Sequence, residues 1–169
     1  MSEALTPEII AEWRSVLSAE RVLEGDHAQK RYGASTLGGV KRRIIGGLLP
    51  ETVEEVVALV QIASRHRIHL YPISTGNNWG YGSANPVIDG GVIVDLSRMN
   101  RIIATDENLG LATIEPGVTS GQLLEYLEKN HIPFVAPRTG AGLNCSILGN
   151  ILERGIGATF PSDRFASIM

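Results

Sequence analysis

Residues 72–86, with the sequence PISTGNNWGYGSANP, constrain the fold more than any other stretch of this chain. The stretch contains two prolines, three glycines and three asparagines, and glycine and proline both disfavour helix interiors and central strands. It follows an apolar segment and is longer than most connections between secondary-structure elements. We therefore predict a long loop after a strand, which either connects two elements or has a backbone shaped to hold a ligand.

The composition is typical of a globular domain. Of the 169 residues, 43% are hydrophobic and 20% are charged, and the net charge is −3, so the chain can bury a core of ordinary size. Its 15 basic and 18 acidic residues are mixed along the sequence, without the basic block that nucleic acids or anionic lipids attract. We expect neither a nucleic acid nor a membrane as a partner.

Location and metal content follow from what the sequence lacks. No apolar run reaches the roughly 18 residues needed to span a bilayer, and the N-terminus shows no secretory signal pattern. The default expectation is a soluble, cytoplasmic protein. The single cysteine, Cys145, excludes an internal disulfide and a cysteine-rich zinc site, and no metal site is predicted.

Helix caps and apolar spacing predict the first element. Thr6 and Pro7 mark a helix start, and the apolar stripe that follows predicts an amphipathic helix as far as about residue 23. Residues 25–43 show no clear period and are predicted to form a loop.

The next segment predicts a strand, a helix and a second strand. The elements are a short strand at 43–49, a helix that begins with the capping pattern of Thr52 and Glu55 and ends near His66, and a buried strand at 68–73.

The second half predicts three more strands and one more helix. Residues 91–96 lack polar alternation, as a buried strand does, and 101–105 with 111–115 flank a polar turn, which predicts a hairpin. A capping box at Thr119 predicts the third helix, and residues 137–157 read as a glycine-rich loop. The order of elements indicates an α+β fold without internal repeats.

The loop after the second strand suits an anion as well as a turn. Glycine allows positive φ, so consecutive backbone N–H groups can converge on one phosphate as a nest. The side chains that can add donors are Ser74, Thr75, Asn77, Asn78 and Ser83. The P-loop pattern and the G-x-G-x-x-G dinucleotide pattern are both absent, so a nest here needs another fold. Composition alone favours a purely structural loop, because glycine-rich loops are common.

Other conspicuous side chains have ordinary structural explanations. His66 and His69 lie on either side of a helix end, which favours two structural histidines over a metal pair. Cys145 is expected to be a small packing residue. The residues that can contact either a ligand or a protein neighbour are Trp79, Arg138 and Arg154.

Four segments, in order, resemble one known family. They are residues 71–84 (YPISTGNNWGYGSA), 92–102 (VIVDLSRMNRI), 114–119 (IEPGVT) and 148–157 (LGNILERGIG). Together they strongly resemble the FAD-binding domain of the p-cresol methylhydroxylase (PCMH) and vanillyl-alcohol oxidase family. Each motif is weak alone, whereas four in the right order and spacing are specific.

The resemblance implies a fold. The chain is expected to form the first lobe of an FAD-binding PCMH-type domain, with a small mixed sheet flanked by helices, apparently truncated. Residues 1–43 are expected to be an N-terminal helix and loop extension, and residues 44–169 an FAD-binding domain that is incomplete at its C-terminus.

The resemblance also implies FAD as the cofactor. The glycine-rich loop would wrap the FAD diphosphate with backbone amides, and the segment 137–157 would run beside the flavin ring and ribityl chain. The residues implied to bind FAD are Ser74, Thr75, Gly76, Asn77, Asn78, Trp79, Gly80, Tyr81, Gly82, Ser83, Pro137, Gly142, Ser146, Gly149, Asn150, Gly155 and Gly157. Asn78 stands where related flavoproteins carry an FAD-linked histidine, so no covalent link is expected through residues 74–84.

For activity, the resemblance implies a flavin-dependent oxidoreductase. Relatives oxidise para-substituted phenols or aromatic alcohols by hydride transfer to flavin N5, so a small aromatic substrate is expected as a partner. The catalytic residues are expected in a C-terminal part beyond this sequence, and none is named. The alternative is a non-catalytic remnant that folds but binds FAD weakly or not at all. An apolar face exposed by truncation predicts self-association or a completing chain.

Overall fold

The computed structural model describes residues 5–34, 41–77, 84–135 and 142–152. The chain divides into two units. The first, here called the sheet unit, contains the described residues before Ser74 and those from 84 to 98. The second, the hairpin unit, contains residues 74–77 and the described residues from Met99 onward.

The sheet unit is built on a four-stranded sheet. Its elements in chain order are α1 (Pro7–Val16), a 3-10 turn (Ala19–Arg21), β1 (Val22–Glu24), α2 (Gly25–Tyr32), β2 (Ile44–Leu48), α3 (Val53–Arg65), β3 (Leu70–Ile73), β4 (Gly91–Asp95) and a 3-10 turn (Leu96–Arg98). The strand order is β1-β2-β4-β3; β1 is antiparallel to β2, and β2 and β3 are parallel to β4. This is the small mixed sheet with helices that the family resemblance implies.

The two central strands are buried along their whole length, as their unbroken apolar sequences predict. Every residue of β2 and β4 is buried. One hydrophobic core joins them to α1 and α3 and contains the fully buried Trp13, Leu48 and Leu59. A second core joins them to α2 through Ala28 and Tyr32.

The third strand of the sheet is shorter and more exposed than the sequence predicts. β3 begins at Leu70 rather than residue 68 and is only partly buried. It lies at the edge of the sheet, where the missing N–H of Pro72 is tolerated. Its apolar sequence therefore reflects partial packing, with Leu70 against one hydrophobic core and Tyr71 and Ile73 against the other.

Two predictions for the N-terminal residues are wrong. The first helix ends at Val16 and not near residue 23, because the chain continues as a 3-10 turn and then as β1. The predicted loop at 25–43 begins instead with α2, whose buried residues are only Ala28 and Tyr32. Two positions are too few to show a helical period. The division at residue 43 stays a prediction, although β1 and α2 lie in the same unit as β2.

The start of α3 confirms the predicted cap but gives its acid another partner. The Thr52 hydroxyl accepts the Glu55 N–H at 3.2 Å. The Glu55 carboxylate, which would return to the cap in a full capping box, accepts two hydrogen bonds from the Arg21 guanidinium, each 2.8 Å. These bonds hold the pKa of the Glu55 carboxyl below its ordinary value. Glu55 therefore ties α3 to the chain that precedes β1.

A buried carboxylate ties α2 to β4. Asp95, which is 3% exposed, accepts hydrogen bonds from the Tyr32 hydroxyl at 2.8 Å and from the Arg31 guanidinium at 3.1 Å. Its other oxygen accepts the Ser97 N–H at 3.0 Å. A buried charge needs partners of this kind. Burial, together with the Asp95 carboxylate, raises the pKa of Tyr32 well above its ordinary value, so the hydroxyl remains a donor at neutral pH.

The hairpin unit places a helix on a two-stranded sheet. Its elements are β5 (Ile102–Asp106), β6 (Leu111–Ile114), α4 (Ser120–Lys129) and α5 (Ile147–Leu152). The antiparallel pairing of β5 with β6 confirms the predicted hairpin, and Thr119 with Gln122 forms the predicted capping box. Its buried core consists of Val118, Leu123, Leu127, Ile132 and Ile147. The loop predicted at 137–157 is wrong where α5 interrupts it.

We expect Tyr32→Phe to lower the free energy of unfolding by about 2 kcal/mol, because it removes one donor from a buried charge that keeps its other partners. Urea denaturation followed by circular dichroism measures this loss. Tyr126→Phe is the control, since the Tyr126 hydroxyl lies 3.4 Å from Thr105 Oγ1, a weak contact worth under about 0.5 kcal/mol. Equal losses in the two variants would contradict the role given to Asp95.

Candidate functional site

The segment 142–147 runs antiparallel to the turn that joins β6 to α4. Three backbone hydrogen bonds hold it: Gly121 N to Leu143 O at 2.9 Å, Ser120 N to Cys145 O at 3.0 Å, and Ile147 N to Val118 O at 3.2 Å. Gly121 cannot be larger without a shift, because a Cβ there would lie 3.1 Å from the Leu143 carbonyl oxygen. The segment, here called the docked segment, is therefore held chiefly by main-chain contacts.

Ser146 anchors the start of α5. Its hydroxyl donates to Pro116 O at 2.8 Å and accepts the Gly149 N–H at 3.0 Å, the second bond being that of an N-cap. Ser146 is 4% exposed. Cys145 beside it is also buried, and its thiol donates to Gly142 O, which fits the packing role predicted for it.

The loop 74–77 meets the docked segment within the hairpin unit. Gly76 has a φ of 70°, the left-handed conformation that a glycine-rich loop makes available. The Asn77 side-chain amide donates to Asn144 O at 3.2 Å. A Cβ on Gly149 would lie 3.3 Å from Ser74 Oγ, so the loop also closely approaches α5. The described parts of the two glycine-rich regions, residues 74–77 and 142–152, thus form one local structure.

Three buried polar atoms in this region find no hydrogen-bond partner within the described ranges. They are Thr75 Oγ1, Ser120 Oγ and Asn150 Nδ2. Such atoms are uncommon in folded proteins, and each costs about 1–3 kcal/mol. Thr75 and Asn150 belong to the loop and to α5, the two parts that come together. Their hydrogen-bonding capacity remains available to a bound group.

The site is rich in neutral donors. Residues 74–77 read STGN and residues 142–152 read GLNCSILGNIL, so these two stretches contain no charged side chain. Backbone N–H, hydroxyl and amide groups of this kind can surround an anion such as a diphosphate. Glu115, which is 6% exposed, lies just before the turn and receives hydrogen bonds from Arg101, which hold the pKa of its carboxyl below the ordinary value. Its charge is thereby balanced locally.

The structure places the described members of the predicted site in one unit. Ser74, Thr75, Gly76 and Asn77 form the loop, and Gly142, Ser146, Gly149 and Asn150 lie in the docked segment and α5. The predicted site residues that lie outside the described ranges are Asn78, Trp79, Gly80, Tyr81, Gly82, Ser83, Pro137, Gly155 and Gly157. Arg138 and Arg154 also lie outside them.

Sequence reasoning missed the contributions of Pro116, Ser120 and Asn144. Pro116 and Asn144 act through backbone carbonyl oxygens, and a carbonyl is present at every residue, so residue type gives no signal. Ser120 resembles any serine in the first turn of a helix. The position of Ser120 beside the docked segment becomes apparent only from the backbone pairing between that segment and the turn.

His66 contacts a carboxylate of its own unit. His66 Nε2 lies 2.7 Å from Glu12 Oε1, which agrees with the predicted structural role. Among the residues whose placement is described, no group of three or more His, Cys, Asp or Glu side chains is arranged to hold a metal ion. In the same part of the chain, no helix is long and apolar enough to cross a membrane.

Comparison with known sequences gives one family and several relatives. Residues 46–163 match the family described as FAD binding domain. The 1'-carboxy-chondrochloren decarboxylase of Chondromyces crocatus is 40% identical over 159 residues, which are 94% of this chain and 29% of that protein. The 4-cresol dehydrogenase (hydroxylating) flavoprotein subunit of Pseudomonas putida is 42% identical over 114 residues, 68% of this chain and 22% of that protein.

Solved structures of related proteins also match this chain. A substrate-bound p-cresol methylhydroxylase matches with a TM-score of 0.88 and 32% identity, covering 96% of this chain and 33% of that one. The 4-ethylphenol oxidase from Gulosibacter chungangensis matches with a TM-score of 0.83 and 28% identity, covering 92% and 30%. The chain thus spans between 22% and 33% of the length of these relatives.

We expect Gly121→Ala to loosen the docked segment, because the added Cβ and the Leu143 carbonyl oxygen cannot both keep their places. The amide hydrogens of Ser120 and Ile147, which bond across this contact, should exchange about tenfold faster, as expected for loss of roughly 1.4 kcal/mol of local protection. Hydrogen exchange read by NMR measures the change. Glu125→Ala, on the exposed side of the same helix, is the control; equal protection in both variants would show that the contact can adjust.

Proposed function

This chain belongs to the FAD binding domain family, alongside the p-cresol methylhydroxylase group that its motifs resemble, and we propose that it is the FAD-binding part of a flavin-dependent oxidoreductase. FAD is its cofactor, as the family and its flavoprotein relatives indicate. We propose the activity of the whole protein and the positions at which this chain contacts FAD.

One observation supports the location of the site more than any other. Thr75 Oγ1 and Asn150 Nδ2 are buried and find no partner in the described part of the chain, and they belong to two segments that touch. Polar atoms of this kind are expected where a ligand completes the hydrogen bonding. The positive φ of Gly76 lets neighbouring N–H groups turn toward one anion. These residues fit the diphosphate and the adjoining polar chain of FAD.

We assign the two segments to different parts of the cofactor. Residues 74–77 hold the diphosphate through neutral donors, and the predicted contacts of residues 78–83 extend the same wall. Ser146, Gly149 and Asn150 lie beside the ribityl chain and the flavin ring. Pro137, Gly155 and Gly157 remain predicted contacts on that side.

The bound cofactor supplies an acceptor for two electrons, and the protein supplies position and electrostatics. The loop and docked segment bind and orient it without charged groups. No residue of the described ranges is assigned a proton-transfer role. The absence of a covalent link through residues 74–84 remains a prediction, as does the cytoplasmic location.

The substrate proposal rests on the named relatives. Two of them are a 4-cresol dehydrogenase and a 4-ethylphenol oxidase, which favours a small para-substituted phenol. A decarboxylation is the second candidate, because the relative that matches 94% of this chain is named a decarboxylase. The predicted alternative of a folded remnant that binds no FAD is decided by direct titration.

We expect the purified chain to bind FAD saturably, with a dissociation constant on the order of micromolar, measured by quenching of flavin fluorescence. Gly76→Asp should abolish this binding, because it sets a carboxylate against the diphosphate. Gly76→Asn is the matched control: asparagine has the same shape, tolerates positive φ and carries no charge, so binding should persist. If the folded wild-type chain binds no FAD, the remnant alternative replaces the proposal.

Thr75→Val separates binding from stability. Valine keeps the shape of threonine and removes a buried hydroxyl that lacks a described partner, so the melting temperature without FAD should stay equal or rise. The FAD dissociation constant should increase about tenfold, as for loss of a hydrogen bond to a charged group.

Thr75→Ser, which keeps the hydroxyl, should retain most of the affinity. Thr113→Val, at an exposed position of β6, should change neither quantity. A Thr75→Val variant that is less stable and binds FAD normally would show that the hydroxyl serves the fold.

A further inference from the structure

Asn77 uses its side-chain amide within the protein. Its Nδ2 donates to the backbone oxygen of Asn144 at 3.2 Å, across 67 positions of sequence. A side-chain amide has two N–H donors, but its placement is fixed by the one that bonds to a rigid acceptor. Asn77 therefore differs from Thr75, whose hydroxyl is buried without a described partner.

The acceptor of this bond is itself well held. Asn144 lies between Leu143 and Cys145, whose carbonyl oxygens accept the N–H groups of Gly121 and Ser120 at 2.9 and 3.0 Å. Its carbonyl is thus part of a stretch fixed by main-chain bonds on both sides. An amide that bonds to such an acceptor fixes its own loop in turn.

A second close contact joins loop 74–77 to α5. A Cβ on Gly149 would lie 3.3 Å from Ser74 Oγ, tighter than ordinary van der Waals contact. The loop thus meets α5 at Ser74 and the docked segment at Asn77. Thr75 and Gly76, which supply the unpaired hydroxyl and the positive φ, lie between these two contacts.

We propose that Asn77 is a positioning residue that holds loop 74–77 closed on the docked segment before FAD arrives. The inference rests on the proposed function, since the two joined segments are those assigned to the diphosphate and to the ribityl and ring side. The specific claim is that the side-chain amide of Asn77 bonds to Asn144 and does not donate to the cofactor, whereas its backbone N–H stays among the donors of the loop. A site assembled in advance binds more tightly, because affinity falls in proportion to the fraction of molecules in the competent state.

The test compares three variants of the chain. Asn77→Ala removes the donor, and Asn77→Gln keeps an amide on a longer side chain. Asn108→Ala, the same substitution at an exposed residue of the β5–β6 turn, is the matched control. Each is measured by hydrogen exchange of residues 142–152 without FAD, by FAD titration, and by the visible absorption spectrum of the bound flavin. Melting temperature reports whether the fold is intact.

The proposal expects a specific pattern. Asn77→Ala should speed exchange in residues 142–152 without FAD, raise the FAD dissociation constant about three- to tenfold, as for one neutral hydrogen bond, and shift the flavin spectrum toward that of free FAD. Asn77→Gln should recover part of each effect. Asn108→Ala should match the wild type throughout.

Other patterns overturn the proposal. Unchanged exchange with a raised dissociation constant would make Asn77 a direct cofactor contact, and unchanged values of both would make the bond unimportant. Failure of the proposed function is separate: if the wild type binds no FAD while Asn77→Ala still speeds exchange, the closure is real and the ligand is wrong. If the wild type binds no FAD and Asn77→Ala leaves the exchange rates unchanged, both proposals are rejected.

Discussion

The candidate site depends on the backbone pairing between the docked segment and the turn before α4. This pairing consumes the N–H groups of Ser120 and Gly121, while Thr119 and Gln122 satisfy each other in the capping box. The positive end of α4, which elsewhere is a ready site for phosphate, is therefore occupied by the protein's own carbonyl groups. An anion has to be held by a different structure, and our proposal gives this role to loop 74–77, where Thr75 Oγ1 finds no partner among the described residues.

Buried charged groups in the described part of this chain have hydrogen-bond partners, whereas several buried neutral polar groups do not. Asp95 in the sheet unit is buried with donors from Tyr32, Arg31 and Ser97, because an unpaired buried charge would cost far more than the margin of a typical fold. The unpaired atoms near the site are two hydroxyls and an amide, whose cost is only about 1–3 kcal/mol each. A site made from neutral donors can thus remain incomplete without unfolding the chain.

Helices and strands with a regular pattern of buried residues are predicted correctly from the sequence. Elements with few buried residues are not. The strands β2 and β4, the helix α3 and the β5–β6 hairpin follow from apolar runs, caps and turn residues. The helix α2 was invisible because Ala28 and Tyr32 alone face the core, and α5 because its six residues include a glycine and an asparagine. Resemblance named Thr75 and Asn150 as site residues, but their lack of partners is a property of packing and has no counterpart in sequence.

A glycine-rich sequence is the feature that is hardest to interpret, because glycine is favoured for several different physical reasons. Gly76 is favoured by its positive φ, whereas Gly121 and Gly149 have neighbours that a Cβ would crowd, the Leu143 carbonyl oxygen at 3.1 Å and Ser74 Oγ at 3.3 Å respectively. The positive φ is a property of the backbone of one loop, whereas the crowding at Gly121 and Gly149 arises from contacts between separate segments. Gly76 and Gly149 are therefore not independent: the small size of Gly149 lets α5 approach the loop that contains Gly76. Together they mark a place where two distant segments come close, which no single stretch of sequence can specify.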